Sequence, residues 1–248
     1  MPLVPGEVIS YLQMCGEENA SLQRGMNFKL RPSHSVVLMS VRSGAPYKDA
    51  VVDDGKALIY EGHDIARTPG GLDPKKADQP MTSPVGTLTQ NGLFFQAAQA
   101  AKAGTAPAEV VRVYEKIRTG IWTYAGLFRL MDAWQELASG RQVFKFRLEI
   151  TEDASASTAI DKDLEHTRII PTSVKLEVWK RDKGRCVKCG ASANLHFDHD
   201  IPYSKGGTSL TPANIQLLCA RHNLAKHDRN VSTTLRHRGH AFTVELGT

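Results

Sequence analysis

Apolar residues occur mostly in short runs, with polar or turn-forming residues between them. Val8, Ile9, Leu12 and Met14 predict a short helical lead-in within residues 1–24. The run Ser35-Val36-Val37-Leu38-Met39-Ser40-Val41 predicts a buried strand. Val51-Val52 stops at Asp53-Asp54-Gly55, a turn signal, and Ala57-Leu58-Ile59-Tyr60 predicts the next strand. Residues 66–86 are rich in Pro, Gly, Asp and Lys and read as a long surface loop, of a length usually tied to function or mobility. Asn91 to Ala103 has helical composition and a glycine stop at Gly104. Apolar segments follow at Val110–Tyr114, Ile121–Tyr124 and Leu127–Trp134. After Gly140, Val143 to Ile150 alternates apolar and charged residues, as a half-buried strand does. Short strands separated by turns predict a barrel or sandwich. Residues 151–165 (TEDASASTAIDKDLE) are small and polar, and read as a linker. Thr172 to Arg181 reads as a capped amphipathic helix. The expected organisation is therefore 1–150, a linker at 151–165, and 166–248.

Composition narrows the class. The chain has 248 residues, 41% hydrophobic and 23% charged, enough to bury a core and unlike an extended disordered chain. No apolar run approaches the ~20 residues of a membrane helix. The first residues lack a basic stretch followed by an apolar core, so no signal peptide is expected and the expected compartment is the cytoplasm. The net charge is +5, unevenly placed. Residues 1–161 hold 17 Lys/Arg against 18 Asp/Glu, and residues 162–248 hold 14 against 8. A local basic surplus is compatible with a polyanion partner, though it also serves solubility.

Three of the four cysteines and seven of the nine histidines lie in that basic third. Such clustering reads as metal ligation rather than a disulfide framework. Cys186-Val-Lys-Cys189 and Cys219-Ala-Arg-His222 supply four soft ligands, the number a closed tetrahedral zinc site needs. Between the pairs lies Leu195-His196-Phe197-Asp198-His199-Asp200. Adjacent strand side chains point to opposite sides, so Asp198 and His199 serve one centre only at a strand end or a bulge. Asp198 with Asn223 offers a divalent ion few protein ligands, which suits Mg²⁺ or Mn²⁺ on a phosphate. His199 can then take a proton from water as general base.

Residues 176–230 resemble the HNH (ββα-metal) nucleases that carry a structural zinc. The resemblance covers the CxxC pair, Asp198-His199, Gly206-Gly207, Asn214, Leu217-Leu218-Cys219 and the Cys219-x-x-His222-Asn223 ending. It implies His199 as base, Asp198 and Asn223 as ligands of the catalytic ion, and Asn214 as the brace that orients the metal loop and His199. It implies zinc on Cys186, Cys189, Cys219 and the fourth position. That position is usually cysteine in the family; here it is His222, preferred on spacing over His227. Arg221, Lys226 and Arg229 are expected to touch phosphates.

Residues 25–150 resemble an SRA domain, a curved β-barrel that flips modified cytosine out of duplex DNA. The resemblance rests on Ser35 to Ser40, Tyr47, Asp53 to Gly62, Tyr124-Ala125-Gly126, Trp134 and Val143 to Leu148. It departs from the family at Ala125, where the family has Asp. A flipped base needs aromatic faces and a partner for its Watson–Crick edge. Tyr47 and Tyr60 are the expected stacking residues, and Asp49, with Asp53 as runner-up, the expected acceptor.

The expected fold class is thus α+β, an N-terminal SRA-like curved β-barrel with flanking helices and a C-terminal HNH domain with structural zinc. The pairing implies an endonuclease that reads 5-methylcytosine or 5-hydroxymethylcytosine, hydrolyses phosphodiesters with Mg²⁺ or Mn²⁺, and restricts methylated foreign DNA. Its expected partners are double-stranded DNA and a second copy of the chain, since one HNH site cuts one strand. The alternatives are a non-catalytic methyl-DNA reader and a nickase selective for structure or mismatch.

Overall fold

In the computed structural model, the described residues are 3–151, 169–201 and 207–226. The expected linker lies almost wholly outside them, as do His227, Arg229 and residues 231–248. No helix among the described residues is long and apolar enough to cross a membrane.

The chain begins with a short strand β1 (Val8–Ser10) and helix α1 (Tyr11–Glu18), then β2 (Met26–Arg31), β3 (His34–Met39), β4 (Ala50–Val52) and β5 (Ala57–Glu61). Helix α2 (Gln90–Lys102) leads to β6 (Val110–Arg118), β7 (Ile121–Ala138) and β8 (Arg141–Ile150). Beyond residue 168 come α3 (Thr172–Arg181), β9 (Leu195–His199) and β10 (Ile215–Cys219), with helix again over 220–226. Helix α1 starts where the chain supplies a capping box: Ser10 Oγ accepts from Gln13 N and Gln13 Oε1 accepts from Ser10 N.

Strands β2-β3-β6-β7-β8-β5-β4 form one sheet in that order, with β1 paired to the start of β7. The β3–β6 pair is parallel and the other pairs are antiparallel. The expected barrel is not closed: β2 and β4 are the two ends of the path, with no pairing between them among the described residues. Curvature comes instead from β7. Its register slips at Ala125 against β6 and at Met131 against β8. An extra residue on one strand bends it and adds twist. The apolar stretches that read separately in the sequence are thus one 18-residue strand.

The sheet has two apolar faces. Helix α2 covers one, where Phe94 packs edge-on to Phe28 and Phe146 with ring centroids 5.3 and 5.9 Å apart. Helix α1 covers the other, with Met14 and Leu22 against Val36, Tyr114 and Trp122. Glu18 is buried beneath α1 and accepts from Tyr114 Oη (2.6 Å), Arg112 (3.0 Å) and His34 (2.9 Å). Burial alone would raise its pKa, but these partners win and hold it at about 2. A separate core of Val174, Val178, Leu195, Phe197 and Leu217 holds α3 onto the β9–β10 hairpin.

The two cores are joined by the N-terminal segment. Gly6 N donates to Tyr124 O (2.9 Å), while Gly6 O accepts from Phe197 N (3.1 Å). Glu7 bridges to His196 of β9. Gly6 has φ +89°, and a Cβ there would meet Phe197 O at 2.8 Å, so only glycine admits this approach. Deeper in the junction, Glu115 of β6 accepts from the Lys175 ammonium and the Thr172 hydroxyl of α3, all three residues being buried.

Candidate functional site

The loop after α3 turns tightly at Cys186–Ala191, where Gly190 N donates to Cys186 O and Cys186 N donates to Ala191 O (both 2.8 Å). This knuckle places Cys186 and Cys189 beside Cys219, the last residue of β10, and His222 on the helix that follows. Ligand atoms of the four lie within 4.8 Å of one another. Cys189 Sγ is 3.8 Å from Cys219 Sγ, and His222 Nδ1 is 3.4 Å from both Cys186 Sγ and Cys219 Sγ. A tetrahedron with metal–sulfur bonds of ~2.3 Å has edges of roughly 3.7 Å, so the set fits zinc. Burial would raise the Cys186 thiol, but the backbone amides of Cys219, Lys188 and Cys189, with His222, lower it to about 6. That favours the thiolate a metal requires.

The hairpin above the knuckle carries the second centre. His199 closes β9, so Asp198 and His199 sit at a strand end, and both line one cleft. Both are 6% exposed. Ser209 Oγ lies 2.8 Å from His199 Nε2. Asn214 acts on the loop backbone: its Nδ2 donates to Ile201 O (3.0 Å) and Thr208 O (3.1 Å), and its Oδ1 accepts from Ile201 N (2.8 Å). Asn214 thus fixes the loop that delivers Ser209 to the histidine ring. From the helix over 220–226, Asn223 is 9% exposed, and its Oδ1 is buried without a hydrogen-bond partner. A buried carbonyl oxygen with no donor is costly unless a cation or water completes it. Lys226 Nζ lies 2.6 Å from Asp198 Oδ2 and also donates to His199 O. The Asp198 carboxylate and the unpartnered Asn223 amide oxygen are hard oxygen donors that fit a divalent cation, which would have to displace the Lys226 ammonium from that carboxylate.

A cleft reaches this centre from the junction of the two cores, lined by Asp198, His199 and Asn223 on one side and by Gly6, Ala125 and Lys175 on the other. Ala125 is the bulged residue of β7.

The residues expected to hold a base are split by the structure. Tyr47 reaches the segment just after β5, and Asp49 meets the last residue of β5 and the residue that follows β3. Tyr47 Oη is 3.5 Å from Asp64 N, and the Lys75 ammonium lies 4.0 Å from the Tyr47 ring centre. Asp49 accepts from Ser40 N (2.9 Å) and Glu61 N (3.0 Å). Its burial, reinforced by the Glu61 carboxylate, pushes its pKa up to about 7 against those amides and Lys145. Tyr60 is part of the α2-side core, 5% exposed, with its hydroxyl 3.5 Å from Leu38 O. Its ring packs within that core. Asp53 stands at the far end of the β4–β5 hairpin, exposed and paired with Arg147.

The loop 62–89 is anchored to the sheet. Gln79 donates to Gly62 O (2.6 Å) and accepts from Phe144 N (2.8 Å), and Arg141 binds Asp64 (2.6 Å) together with Pro74 O and Ala77 O (both 3.1 Å). Lys145 binds Glu61 at 2.9 Å. Sequence patterning did not single out Ser209, Gln79 or Arg141. Each acts across a fold contact that no local spacing announces.

Residues 186–229 match the family model described as HNH endonuclease. No curated protein matches the chain. Among solved structures, it is similar to the SRA domain of SUVH5 in complex with methylated CHH DNA, with 20% identity, 60% of this chain and 90% of that chain covered, and a TM-score of 0.42. It is also similar to KRYPTONITE in complex with mCHH DNA, H3(1-15) peptide and SAH (19% identity, 65% and 35% covered, TM-score 0.42). A third is Arabidopsis thaliana SUVH6 in complex with SAM (18% identity, 60% and 25% covered, TM-score 0.37). The matched HNH segment contains both centres described above, the zinc-ligand set and the Asp198–His199–Asn223 cleft.

Proposed function

We propose that this chain is a metal-dependent DNA endonuclease that recognises modified cytosine, and that it restricts methylated foreign DNA. The observation that carries the nuclease reading is that the strand-end pair Asp198-His199 and Asn223, whose Oδ1 is buried without a partner, line one cleft inside the HNH segment. Zinc on Cys186, Cys189, Cys219 and His222 fastens the helix that bears Asn223 to the hairpin that bears Asp198. Asp198 and Asn223 would hold Mg²⁺ or Mn²⁺, which supplies positive charge to the scissile phosphate and its leaving oxygen.

His199, held by Ser209, accepts a proton from water as the water oxygen attacks phosphorus. The bond from phosphorus to the leaving deoxyribose oxygen breaks, and that oxygen takes a proton from solvent. Asn214 keeps the loop, and through Ser209 the imidazole, in place. A double-strand break requires a second copy of the chain or two successive nicks.

The reader assignment rests on the SRA-like motifs, with Asp49 on Glu61 N at the end of β5 and Tyr47 reaching Asp64 just beyond it. Tyr47 supplies the stacking face, worth ~1–3 kcal/mol for a base. The carboxyl of Asp49, with a pKa of about 7, matches a cytosine edge in its neutral form by donating to N3 and accepting from N4. His199→Ala tests the mechanism. It is expected to lower cleavage by ~10²–10⁴ while DNA binding and zinc content persist, as read by plasmid nicking, gel shift and metal analysis. Wild-type cleavage by that variant would remove His199 from the chemistry.

A further inference from the structure

Sequence patterning assigned Lys226 to phosphate, as one of three basic residues around a nuclease helix. The structure turns it inward. Its ammonium is 2.6 Å from Asp198 Oδ2 and also meets the main-chain carbonyl of His199. Asp198 is 6% exposed, and the Lys226 side chain is 19% exposed. Asn223 lies three residues earlier on the same helical stretch, with its Oδ1 buried and unpartnered. One positive group therefore sits on the carboxylate that the nuclease reading assigns to the divalent ion.

We propose that Lys226 is a positioning residue that stands in for the catalytic cation. Before metal binds, it neutralises Asp198 and ties the strand end to the helix. The divalent ion and the ammonium then compete for the same carboxylate, and loading requires Lys226 to withdraw. The inference rests on the nuclease-site reading of Asp198 and Asn223.

Two charges of like sign cannot share one carboxylate pocket without mutual cost. The lysine thereby raises the metal concentration needed for loading while keeping a buried carboxylate from standing unpaired. A brace that merely organised the metal site would act in the opposite direction, because its loss would loosen the ligands and weaken metal binding.

The experiment is a Mn²⁺ titration of the zinc-loaded full chain, followed by electron paramagnetic resonance, for the wild type, Lys226→Met and Asp198→Asn. Removing the competing charge is expected to lower the half-saturating Mn²⁺ concentration of Lys226→Met by about tenfold. Its melting temperature without Mn²⁺ is expected to fall below wild type and to recover at saturating Mn²⁺. Unchanged or weaker Mn²⁺ binding by Lys226→Met overturns the proposal. Asp198→Asn separates this from failure of the parent reading: if it binds Mn²⁺ like the wild type, Asp198 is not a metal ligand and both fall. Should Lys226→Met fail to accumulate with full zinc content, Lys226→Gln replaces it. Gln keeps a donor for the His199 carbonyl without the charge, and the same direction of shift is expected.

Discussion

At the scale of single residues, the N-terminal sheet region uses two carboxylates in contrasting ways. Glu18 is buried among three donors and is held ionised, with a pKa of about 2. Asp49 is held by two amides but sits beside the Glu61 carboxylate, and its pKa rises to about 7. The sign for Asp49 follows from linkage: a carboxyl whose pKa is raised by folding loses stability as pH climbs from about 4 to about 7, and holds level above that. Asp49→Asn removes this slope. Urea unfolding of the two proteins should show wild type losing ground to the variant across that window, and parallel curves would contradict the assignment. Asp49→Ala, which removes both groups, should bind modified DNA at least ~10-fold more weakly, whereas Asp49→Asn, whose amide keeps one donor and one acceptor as the neutral carboxyl does, should lose much less.

How much was legible differed between residues for physical reasons. Cys186, Cys189, Cys219 and His222 were legible because each ligand pair is local in sequence. Asp198-His199 was singled out because it lies between the two ligand pairs, and the structure brings both residues into one cleft with Asn223. Ser209 and Lys226 were not assigned these roles, because a serine ten residues from a histidine, or a lysine on a basic helix, carries no pattern. Tyr60 was expected to stack on a base, yet its ring lies in the core. An aromatic residue on a strand has the same signature in either role.

At the scale of elements, β7 shows what period alone misses. Its 18 residues read as separate segments because the slips at Ala125 and Met131 break the alternation. The same slips bend the sheet in place of barrel closure. Helices α2 and α3 were legible, their apolar faces being regular. The nuclease hairpin is a small element, two strands of five residues each, and a core of that size needs a staple. Cys186→Ser is expected to abolish stoichiometric zinc and to destabilise α3 and the β9–β10 hairpin while leaving the large sheet folded. Zinc analysis with hydrogen exchange would check it, and full zinc content in the variant would refute the ligand set.

At the scale of the whole molecule, the HNH segment packs against the N-terminal sheet. Gly6 links Tyr124 to Phe197 through backbone hydrogen bonds, and Glu115 receives Lys175 and Thr172. The bulge that bends β7 places Ala125 in the wall of the cleft that reaches Asp198, His199 and Asn223. The basic surplus of the chain lies beyond residue 161 in sequence. Lys175→Ala strands Glu115 as an unpaired buried charge, which costs ~3–5 kcal/mol. Thermal unfolding should therefore show a large loss of stability, and the Glu115→Gln/Lys175→Met pair should recover much of it. A shift within experimental error for the single variant would show that the junction is not held by this pair.

The central claim couples a modified-cytosine reader to an HNH cutter in one chain. The most direct measurement compares cleavage of fully cytosine-methylated and unmethylated copies of one plasmid by the zinc-loaded protein with Mg²⁺ or Mn²⁺. Cutting of the methylated plasmid, with the unmethylated one left intact, is the predicted result. Equal digestion of both would contradict the account.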